Sequence, residues 1–168
     1  MINQILGNFP QINTCLLTLK NNHTFIFEDN ELKKGVFVSD NEKYHLHIEN
    51  KSNSHFYFIQ NDDCVMINVK YGQCDYVVFN SNDFYFVDVK DSKSPSRKSN
   101  HRKKAYDQIE NTYKFYSEEI DFSKINLFAL VCFSSTRRII KSSESTKRKE
   151  FKMKYKIDLK EENYILFD

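Results

Sequence analysis

The sequence predicts an α/β protein built on a mixed sheet, with parallel and antiparallel strands side by side, and three observations carry this prediction. Short segments rich in aromatic and β-branched residues, separated by Asn, Asp and Ser, fill much of the first half. A stripe of apolar residues at spacings of three and four follows, which is typical of an amphipathic helix. An almost unbroken apolar run comes next and indicates a strand buried on both faces.

The strands of the first half are predicted from their composition and from the turn residues that bound them. The connection at 70–73 contains Gly72 and suits a tight hairpin. Asn and Ser at 80–83 mark a second turn. The predicted strands span residues 24–27, 36–39, 44–49, 55–59, 64–69, 74–79 and 84–90.

The second half begins with a polar segment at 91–100, which contains Pro95 and is predicted to be a loop. The helical stripe then runs from near His101 to near Ile120, and the buried strand follows at 125–133. A helix that connects two strands of one sheet allows them to run parallel, so we expect the strand at 125–133 to be parallel to an earlier one. Late strands or a short final helix are predicted at 151–159 and 164–167.

A length of 168 residues suits one domain with its own core. We expect a single domain with a β-rich extension at 1–60, a core at 61–133 and a basic segment at 134–168 that completes the sheet. No apolar run reaches the roughly 18 residues of a membrane span, and the first residues lack the pattern of a secretory signal. A cytoplasmic protein without a membrane partner is therefore expected.

The cysteines are scattered without the short spacings of a zinc site. In the absence of a secretory signal we expect them to be reduced, mostly buried thiols. His45 and His47 share one face of a predicted strand, but the sequence shows no second pair that would complete a metal site with them. The cysteines are Cys15, Cys64, Cys74 and Cys132.

Charge is unevenly distributed, although the net charge is only +2. Residues 1–89 carry 6 Lys and Arg against 11 Asp and Glu, whereas residues 90–168 carry 19 against 12. A basic half can attract polyanions such as nucleic acids even when the whole protein is nearly neutral. A solvated charged surface has the same composition, so charge alone does not decide the function.

Two carboxylates are predicted to meet across neighbouring strands. Asp88 and Lys90 point to the same face, because side chains alternate along a strand. If the strands at 74–79 and 84–90 pair about the turn between them, Asp75 lies opposite Asp88, with their Cβ atoms about 5 Å apart. The predicted pairs are 79 with 84, 77 with 86 and 75 with 88.

Close carboxylates repel each other unless a cation neutralises them. A hard divalent ion with oxygen ligands, Mg²⁺ or Mn²⁺, is the expected occupant. Such an ion can polarise a phosphodiester and activate a water, and Lys90 beside it can orient that water or neutralise the phosphate. The structural alternative is a salt bridge between Asp88 and Lys90 that closes the strand.

The same residues resemble a known family. Cys74-Asp75-Tyr76 followed by Asp88-Val89-Lys90 resembles the D…(D/E)-x-K signature of the PD-(D/E)XK nucleases, which include restriction endonucleases, Holliday junction resolvases and DNA-repair nucleases. In the helix, Gln108-Ile109-Glu110-Asn111-Thr112 is similar to the glutamine-bearing segment of many members. The resemblance covers about residues 55–133 and is strongest to small uncharacterised members with C-D-[YF], [ED]-x-K and Q-[IL]-x-x-T in that order.

The resemblance implies a restriction-endonuclease-like core and a set of site residues. By it, Asp75 and Asp88 would bind the metal together with the Val89 carbonyl, Lys90 would be the catalytic lysine, and Gln108 would assist at the edge. The sequence departs from the family in having Asp where Glu is commoner. It also lacks a predicted helix before residue 64, which in the family often donates another Glu. Candidates for a further acidic ligand are Glu49, Asp62 and Asp63.

Basic residues follow the predicted site directly, where a phosphate backbone would pass. Several phosphate contacts would make binding strongly dependent on salt. No zinc-finger or helix-turn-helix signature is present, so no base readout is predicted. The predicted nucleic-acid contacts are Lys93, Arg97, Lys98, Arg102, Lys103 and Lys104, with His101 among them, and Arg137 and Arg138, which begin a basic stretch that continues to Lys156.

The expected function is hydrolysis of phosphodiesters, with DNA as the expected substrate. By analogy with the family, the setting would be restriction, phage defence or repair. The alternative is a catalytically inactive nuclease fold that binds nucleic acid or a partner protein. The acidic N-terminal region would cover the sheet, form a homodimer or bind a protein partner, and the sequence does not choose among these.

Overall fold

The computed structural model describes residues 1–32, 34–62, 64–67, 72–90, 95–134, 140–141 and 146–168, with the side chains of 95–98 and 140–141 left out of that description. The helices are α1 (Ile2–Asn8), a 3₁₀ helix (Pro10–Thr14), α2 (Pro95–Ser117) and α3 (Thr146–Tyr155). The strands are β1 (Leu16–Leu19), β2 (His23–Asp29), β3 (Lys34–Val38), β4 (Leu46–Asn50), β5 (Phe56–Gln60), β6 (Tyr76–Phe79), β7 (Asp83–Lys90), β8 (Asn126–Phe133), β9 (Ile140–Lys141), β10 (Ile157–Glu162) and β11 (Tyr164–Phe167).

The larger sheet has seven strands in the order β1-β5-β6-β7-β8-β10-β9. Strands β7, β8 and β10 run parallel to one another, and the other neighbours are antiparallel. Helix α2 connects β7 to β8 and returns the chain to the end of the sheet where β7 begins, so that both strands point the same way. The C-terminal ends of β7, β8 and β10 therefore lie together, at what we call the carboxyl end of the sheet.

The smaller sheet has four strands in the order β11-β4-β2-β3 and covers one face of the larger sheet. Strand β11 runs parallel to β4, and the other pairs are antiparallel. Ile26, Ile48 and Ile165 of this sheet share one core with Tyr76 and Val87 of the larger one. Side chains from two facing sheets thus exclude water between them, which is the main source of stability for such a pair of layers.

The helices cover the opposite face of the larger sheet, and strand β7 shows how the two faces are divided. Phe84 and Phe86 belong to the core on the helix side, together with Tyr116 of α2. Tyr85 and Val87 belong to the core between the sheets. Because side chains alternate along a strand, Asp88 and Lys90 follow Phe86 on the helix side.

The predicted combination of helices with mixed parallel and antiparallel sheets is confirmed. The parallel relation between the strand at 125–133 and an earlier strand is also confirmed, since β8 pairs in parallel with β7. Most predicted strands of the first half overlap observed ones within a few residues, which is the usual accuracy of strand ends. The predicted segments at 24–27, 36–39, 44–49, 55–59, 74–79 and 84–90 correspond to β2, β3, β4, β5, β6 and β7.

Two local predictions are wrong. Residues 64–67 form turns instead of a strand, and residues 68–71 lie outside the described residues. Residues 95–100 belong to α2 instead of a loop, because Pro95 stands in the first turn, where its missing N–H is not needed. The segment at 151–159 contains both predicted alternatives, since residues 151–155 belong to α3 and residues 157–159 to β10.

The sequence also missed a helix at the start of the chain. Helix α1 is seven residues long, which is too short for apolar periodicity to identify it. Its Ile5 is fully buried in the core on the helix side, and Asn8 donates a hydrogen bond of 2.7 Å to the Glu119 carbonyl. The helix carries no acidic residue in its first turn and does not supply the additional Glu of the family pattern.

The expectation of four reduced thiols is wrong for two of them. A disulfide joins Cys15 to Cys64, whose Cα atoms lie 6.3 Å apart, within the usual range for such a bond. It ties the residue before β1 to the turn at 64–67. The two cysteines are 49 positions apart in the chain, so spacing gave no signal. Cys74 and Cys132 are free and buried.

The first 60 residues are interwoven with the rest of the chain through both sheets. Strands β1 and β5 lie in the larger sheet, and β2 and β4 form the smaller one with β3 and the C-terminal β11. Strand β10 adds the C-terminal segment to the larger sheet beside β8. The region predicted as an N-terminal extension thus contributes strands to both layers.

A substitution at Gly35 tests the packing between the two sheets. A Cβ atom at Gly35 would lie 2.9 Å from the Tyr76 hydroxyl oxygen and 3.0 Å from Ile26 Cγ2, and both neighbours are buried. We expect Gly35→Ala to lower the free energy of unfolding by about 1–3 kcal/mol, because overpacking displaces buried atoms. Denaturant titration measures this. In the control Gly7→Ala, the added methyl meets no atom within 4 Å. Equal losses in the two variants would contradict this description of the interface.

Candidate active site

Asp75 and Asp88 lie side by side at the carboxyl end of the sheet, where β6 begins and β7 ends. Asp75 directly precedes β6, and continuing the observed register places it opposite Asp88. The amide of Val89 donates a hydrogen bond of 2.5 Å to Asp75 Oδ2, which fixes this carboxylate against β7. The observed pairs are Phe79 with Phe84, Val78 with Tyr85, Val77 with Phe86 and Tyr76 with Val87. They include two of the three predicted pairs, 79 with 84 and 77 with 86, and the third, 75 with 88, is the next step of the same register.

Asp88 is completely buried, because β7 is an interior strand flanked by β6 and β8. Its Oδ2 atom lies 2.5 Å from Lys90 Nζ, and the Lys90 side chain is itself only 11% exposed. Neither oxygen of Asp88 accepts a well-aligned hydrogen bond, so the contact with Lys90 is an ion pair without favourable hydrogen-bond geometry. Buried carboxylate oxygens without an aligned hydrogen-bond donor are rare, and they mark places where a ligand or water belongs.

Burial raises the pKa of both carboxyl groups. For Asp88, burial is the largest cause, the charge of Asp75 adds to it and Lys90 opposes it, which leaves the pKa at about 8. For Asp75, burial again dominates, while Lys90 and the Val89 amide oppose it, and the pKa is about 6. The site therefore holds protons more tightly than carboxylates in water do, because burial disfavours the ionised forms and Lys90 offsets this only in part.

Gln108 lies against the segment that leads to Asp75. Its Nε2 atom donates a hydrogen bond of 2.7 Å to the Gln73 carbonyl, and its Oε1 atom is buried without a hydrogen-bond partner. Gly72 has a φ of +73°, and a Cβ atom there would lie 3.3 Å from Gln108 Cγ. Glycine thus allows the backbone to turn and approach α2 at this point.

The three candidates for a further acidic ligand have different positions. Asp62 lies near Asp75, whose pKa its charge raises, and it accepts a hydrogen bond from the Gln73 side chain. Glu49 lies in β4 of the smaller sheet, and Asp63 lies outside the described residues. Within the described ranges, no group of three or more His, Cys, Asp or Glu side chains is arranged to hold a metal ion.

Sequence reasoning missed Glu28, which brings a further carboxyl group from the smaller sheet. It accepts a hydrogen bond from the Tyr76 hydroxyl. Burial raises the pKa of Glu28 to about 7, the hydrogen bond from Tyr76 opposes this, and the charges of Asp75 and Asp62 add to it. No local pattern marks Glu28, because β2 reaches this region only through the packing of one sheet on the other.

The predicted nucleic-acid contacts fall into three groups. Lys103 and Lys104 are exposed on α2, and the charge of Lys104 acts on both Asp75 and Asp88. Arg102 is engaged within the protein, since it donates hydrogen bonds of 2.5 and 3.0 Å to the Glu161 carboxylate. Lys93, Arg137 and Arg138 lie outside the described residues, as do the side chains of Arg97 and Lys98.

Helix α3 adds a basic surface on the same side of the sheet. It precedes β10, whereas α2 follows β7, and these two strands are parallel to β8. The N-terminal ends of both helices therefore point toward the carboxyl end. The charges of Lys147 and Arg148 reach Tyr106 on α2, which places the start of α3 beside α2. The basic residues of α3 are Lys147, Arg148, Lys149, Lys152 and Lys154.

His45 and His47 have separate roles in the fold. His45 is buried, and its Nδ1 atom accepts a hydrogen bond of 2.9 Å from the Glu28 amide. His47 Nε2 lies 3.2 Å from His23 Nδ1, and the His47 ring stacks on Phe25 with centroids 4.2 Å apart. The spatial neighbour of His47 thus comes from β2, which strand spacing alone did not reveal.

No family model, curated protein or solved structure matches the chain. In the described parts of the chain, no helix is long and apolar enough to cross a membrane.

The carboxyl pair predicts an unusual dependence of stability on pH. The pKa of Asp88 is raised in the folded protein, so its proton stabilises the fold at low pH, and this contribution is lost as the pH rises from about 4 through about 8. We expect Asp88→Asn to match the wild type near pH 4 and to exceed its free energy of unfolding by about 1–3 kcal/mol at pH 8. Urea titrations in the presence of a chelator measure both values. A variant that is less stable than the wild type at pH 8 would contradict the assigned environment of Asp88.

Proposed function

We propose that the protein is a metal-dependent nuclease that hydrolyses phosphodiester bonds at the carboxyl end of its larger sheet. One observation carries the proposal: the buried Asp88 and the partly exposed Asp75 lie opposite each other beside one lysine, and the oxygens of Asp88 lack aligned donors. When ionised, such oxygens are acceptors only. A hard cation satisfies them without requiring a proton.

The residues present fit Mg²⁺ or Mn²⁺. Asp75 and Asp88 would hold the ion, with the Val89 carbonyl as a further oxygen ligand by analogy with the family. A bound ion of this kind polarises the phosphodiester and lowers the pKa of a water. The raised pKa values of both carboxyl groups support the fit, since the pair lacks positive charge that an ion would supply.

Lys90 is the proposed catalytic cation. It follows Asp88 on the same face of β7, with 2.5 Å between Nζ and Oδ2. A lysine in this position can orient the attacking water or stabilise negative charge that develops on the phosphate. Its low exposure keeps water from screening that charge, so its effect on a bound phosphate is stronger than at the surface.

The proposed substrate is nucleic acid, with DNA favoured by the resemblance. The support is the distribution of positive charge: Lys103 and Lys104 are exposed on α2, and α3 presents basic residues beside it. Both helices start toward the carboxyl end, so a phosphate backbone crossing that end would meet them. Restriction, phage defence or repair is the proposed setting, by analogy with the family.

A second candidate function is a nuclease fold that binds nucleic acid without cleaving it. The ion pair between Lys90 and Asp88 favours this alternative, because it neutralises part of the site without a metal. The lack of a third acidic ligand within the described ranges also favours it. This alternative predicts binding of nucleic acid that survives loss of Asp88, with no cleavage by either protein.

A protein partner or homodimer through the N-terminal region is part of the proposal. Leu17 of β1 and Phe37 of β3 are 42% and 49% exposed, and these strands end the described order of their sheets. Exposed apolar side chains on terminal strands are a common basis of protein contacts.

The proposal places the protein in the cytoplasm, where a disulfide such as Cys15–Cys64 is uncommon.

Substitutions along one strand test the activity. We expect Asp88→Asn and Lys90→Gln each to lower Mn²⁺-dependent cleavage by about 100-fold or more, because each removes charge from the reacting centre. Cleavage of single-stranded, duplex and branched DNA at low salt measures this. The matched control is Asp83→Asn at the other end of β7, where the carboxylate accepts a hydrogen bond from Asn126. Full activity in Asp88→Asn, or equal loss in Asp83→Asn, would rule out the assigned centre.

The basic surface is tested by the salt dependence of binding. In an Asp88→Asn background, we expect replacing Lys103 and Lys104 by Gln to weaken binding of DNA and to reduce the slope of log affinity against log salt by about 1–2. Fluorescence anisotropy at several salt concentrations measures the slope. The control is Lys114→Gln, which removes one charge at the far end of α2, where Lys114 pairs with Glu110. A slope that the double substitution leaves unchanged would place the DNA elsewhere.

A further inference from the structure

Three polar side chains on α2, spaced four residues apart, hold the backbone that leads to Asp75. These residues are Gln108, Thr112 and Tyr116, and we call them the polar ladder. Residues at this spacing share one face of a helix. Thr112 and Tyr116 are fully buried on that face, where an apolar residue would normally stand.

The upper part of the polar ladder contacts the backbone directly. Gln108 donates to the Gln73 carbonyl at 2.7 Å, and the Cys74 amide donates to Thr112 Oγ1 at 2.9 Å. The Thr112 hydroxyl in turn donates to the Gln108 carbonyl at 2.8 Å. Thr112 thus accepts from the strand and donates to its own helix, which determines the direction of its hydroxyl.

The lower part of the polar ladder acts through Asn61. The Tyr116 hydroxyl donates to Asn61 Oδ1 at 3.0 Å, and Asn61 Nδ2 donates to the Cys74 carbonyl at 2.9 Å. The backbone N–H of Asn61 also donates to the backbone carbonyl of Asp75 at 2.9 Å. The peptide groups on both sides of Cys74 are therefore held, one by Thr112 and the other by Asn61.

The polar ladder connects the two halves of the site. Asp88 and Lys90 lie on β7, and α2 is the next element after β7 in the chain. Asp75 directly precedes β6, and the backbone that leads to it is held by the same helix. Helix α2 follows β7 and holds the backbone before Asp75. The placement of this helix therefore determines how Asp75 lies relative to Asp88 and Lys90.

We propose that Thr112, with Gln108 and Tyr116, is a positioning residue that sets the Asp75 carboxylate against β7. The catalytic meaning of this role rests on the proposed nuclease function, whereas the structural role does not. Burying a hydroxyl and an amide is unfavourable unless they bond to each other, and a valine at position 112 would fill nearly the same volume. The polar choice is thus explained by the backbone group that it holds.

The experiment compares Thr112→Val, Thr112→Ser and the control Thr24→Val. Thr24 is also buried, at 4% exposure, and its hydroxyl has no hydrogen-bond partner. The reporter is hydrogen exchange at the Val89 amide, which bonds to Asp75 Oδ2, compared with the Val87 amide of the same strand. We expect Thr112→Val to speed exchange at Val89 by about tenfold relative to Val87, a change equivalent to about 1.4 kcal/mol. Thr112→Ser and Thr24→Val should leave that ratio unchanged.

Cleavage kinetics give the second readout, at a temperature where every variant is folded. We expect Thr112→Val to lower kcat about tenfold with KM for DNA nearly unchanged, and Thr112→Ser to restore kcat. Unchanged exchange at Val89 in Thr112→Val, or equal acceleration at Val87, would overturn the positioning role. Selective acceleration at Val89 in a protein whose wild type cleaves no DNA would support the positioning role and refute the nuclease.

Discussion

Repulsion between Asp75 and Asp88 is the constraint around which this structure is organised. Directly opposed residues of neighbouring strands have Cβ atoms about 5 Å apart, and two full charges at that distance repel each other by about 3 kcal/mol at an effective dielectric constant of about 20. A domain is stabilised by only about 5–15 kcal/mol in total, so this repulsion is a substantial part of the balance. Lys90 supplies one positive charge against two carboxylates, and Asp62 and Glu28 add negative charge nearby. The described site thus favours either protons or a cation.

The rest of the fold makes that arrangement possible. Strand β7 lies in the interior of the larger sheet, so Asp88 is shielded from water on both sides. The apolar cores on the two faces hold β6 and β7 in one register, and the hydrogen bond from Val89 orients Asp75. Helix α2 adds polar contacts to the backbone before Asp75. A site of this kind reduces stability at neutral pH, because the buried carboxyl group must ionise there.

The sequence predicted what depends on local alternation and failed where distant segments meet. Asp88 and Lys90 share one face because side chains alternate along a strand. The register that places Asp75 opposite Asp88 follows from the turn at 80–83. Glu28 was missed because it arrives from another sheet. The bond between Cys15 and Cys64 was missed because chain spacing carries no information about it. Thr112 was visible only as part of a motif, since its contact with the Cys74 amide requires the docking of α2.

We propose that the carboxyl pair is a site for a divalent cation, and crystals of the protein grown with MnCl₂ and measured near the manganese absorption edge test this. We expect an anomalous peak between the carboxylates of Asp75 and Asp88, within about 2.0–2.3 Å of an oxygen from each, with Lys90 Nζ moved away from Asp88 Oδ2. A well-ordered site that has no such peak at millimolar Mn²⁺ and retains the Lys90–Asp88 ion pair would contradict it.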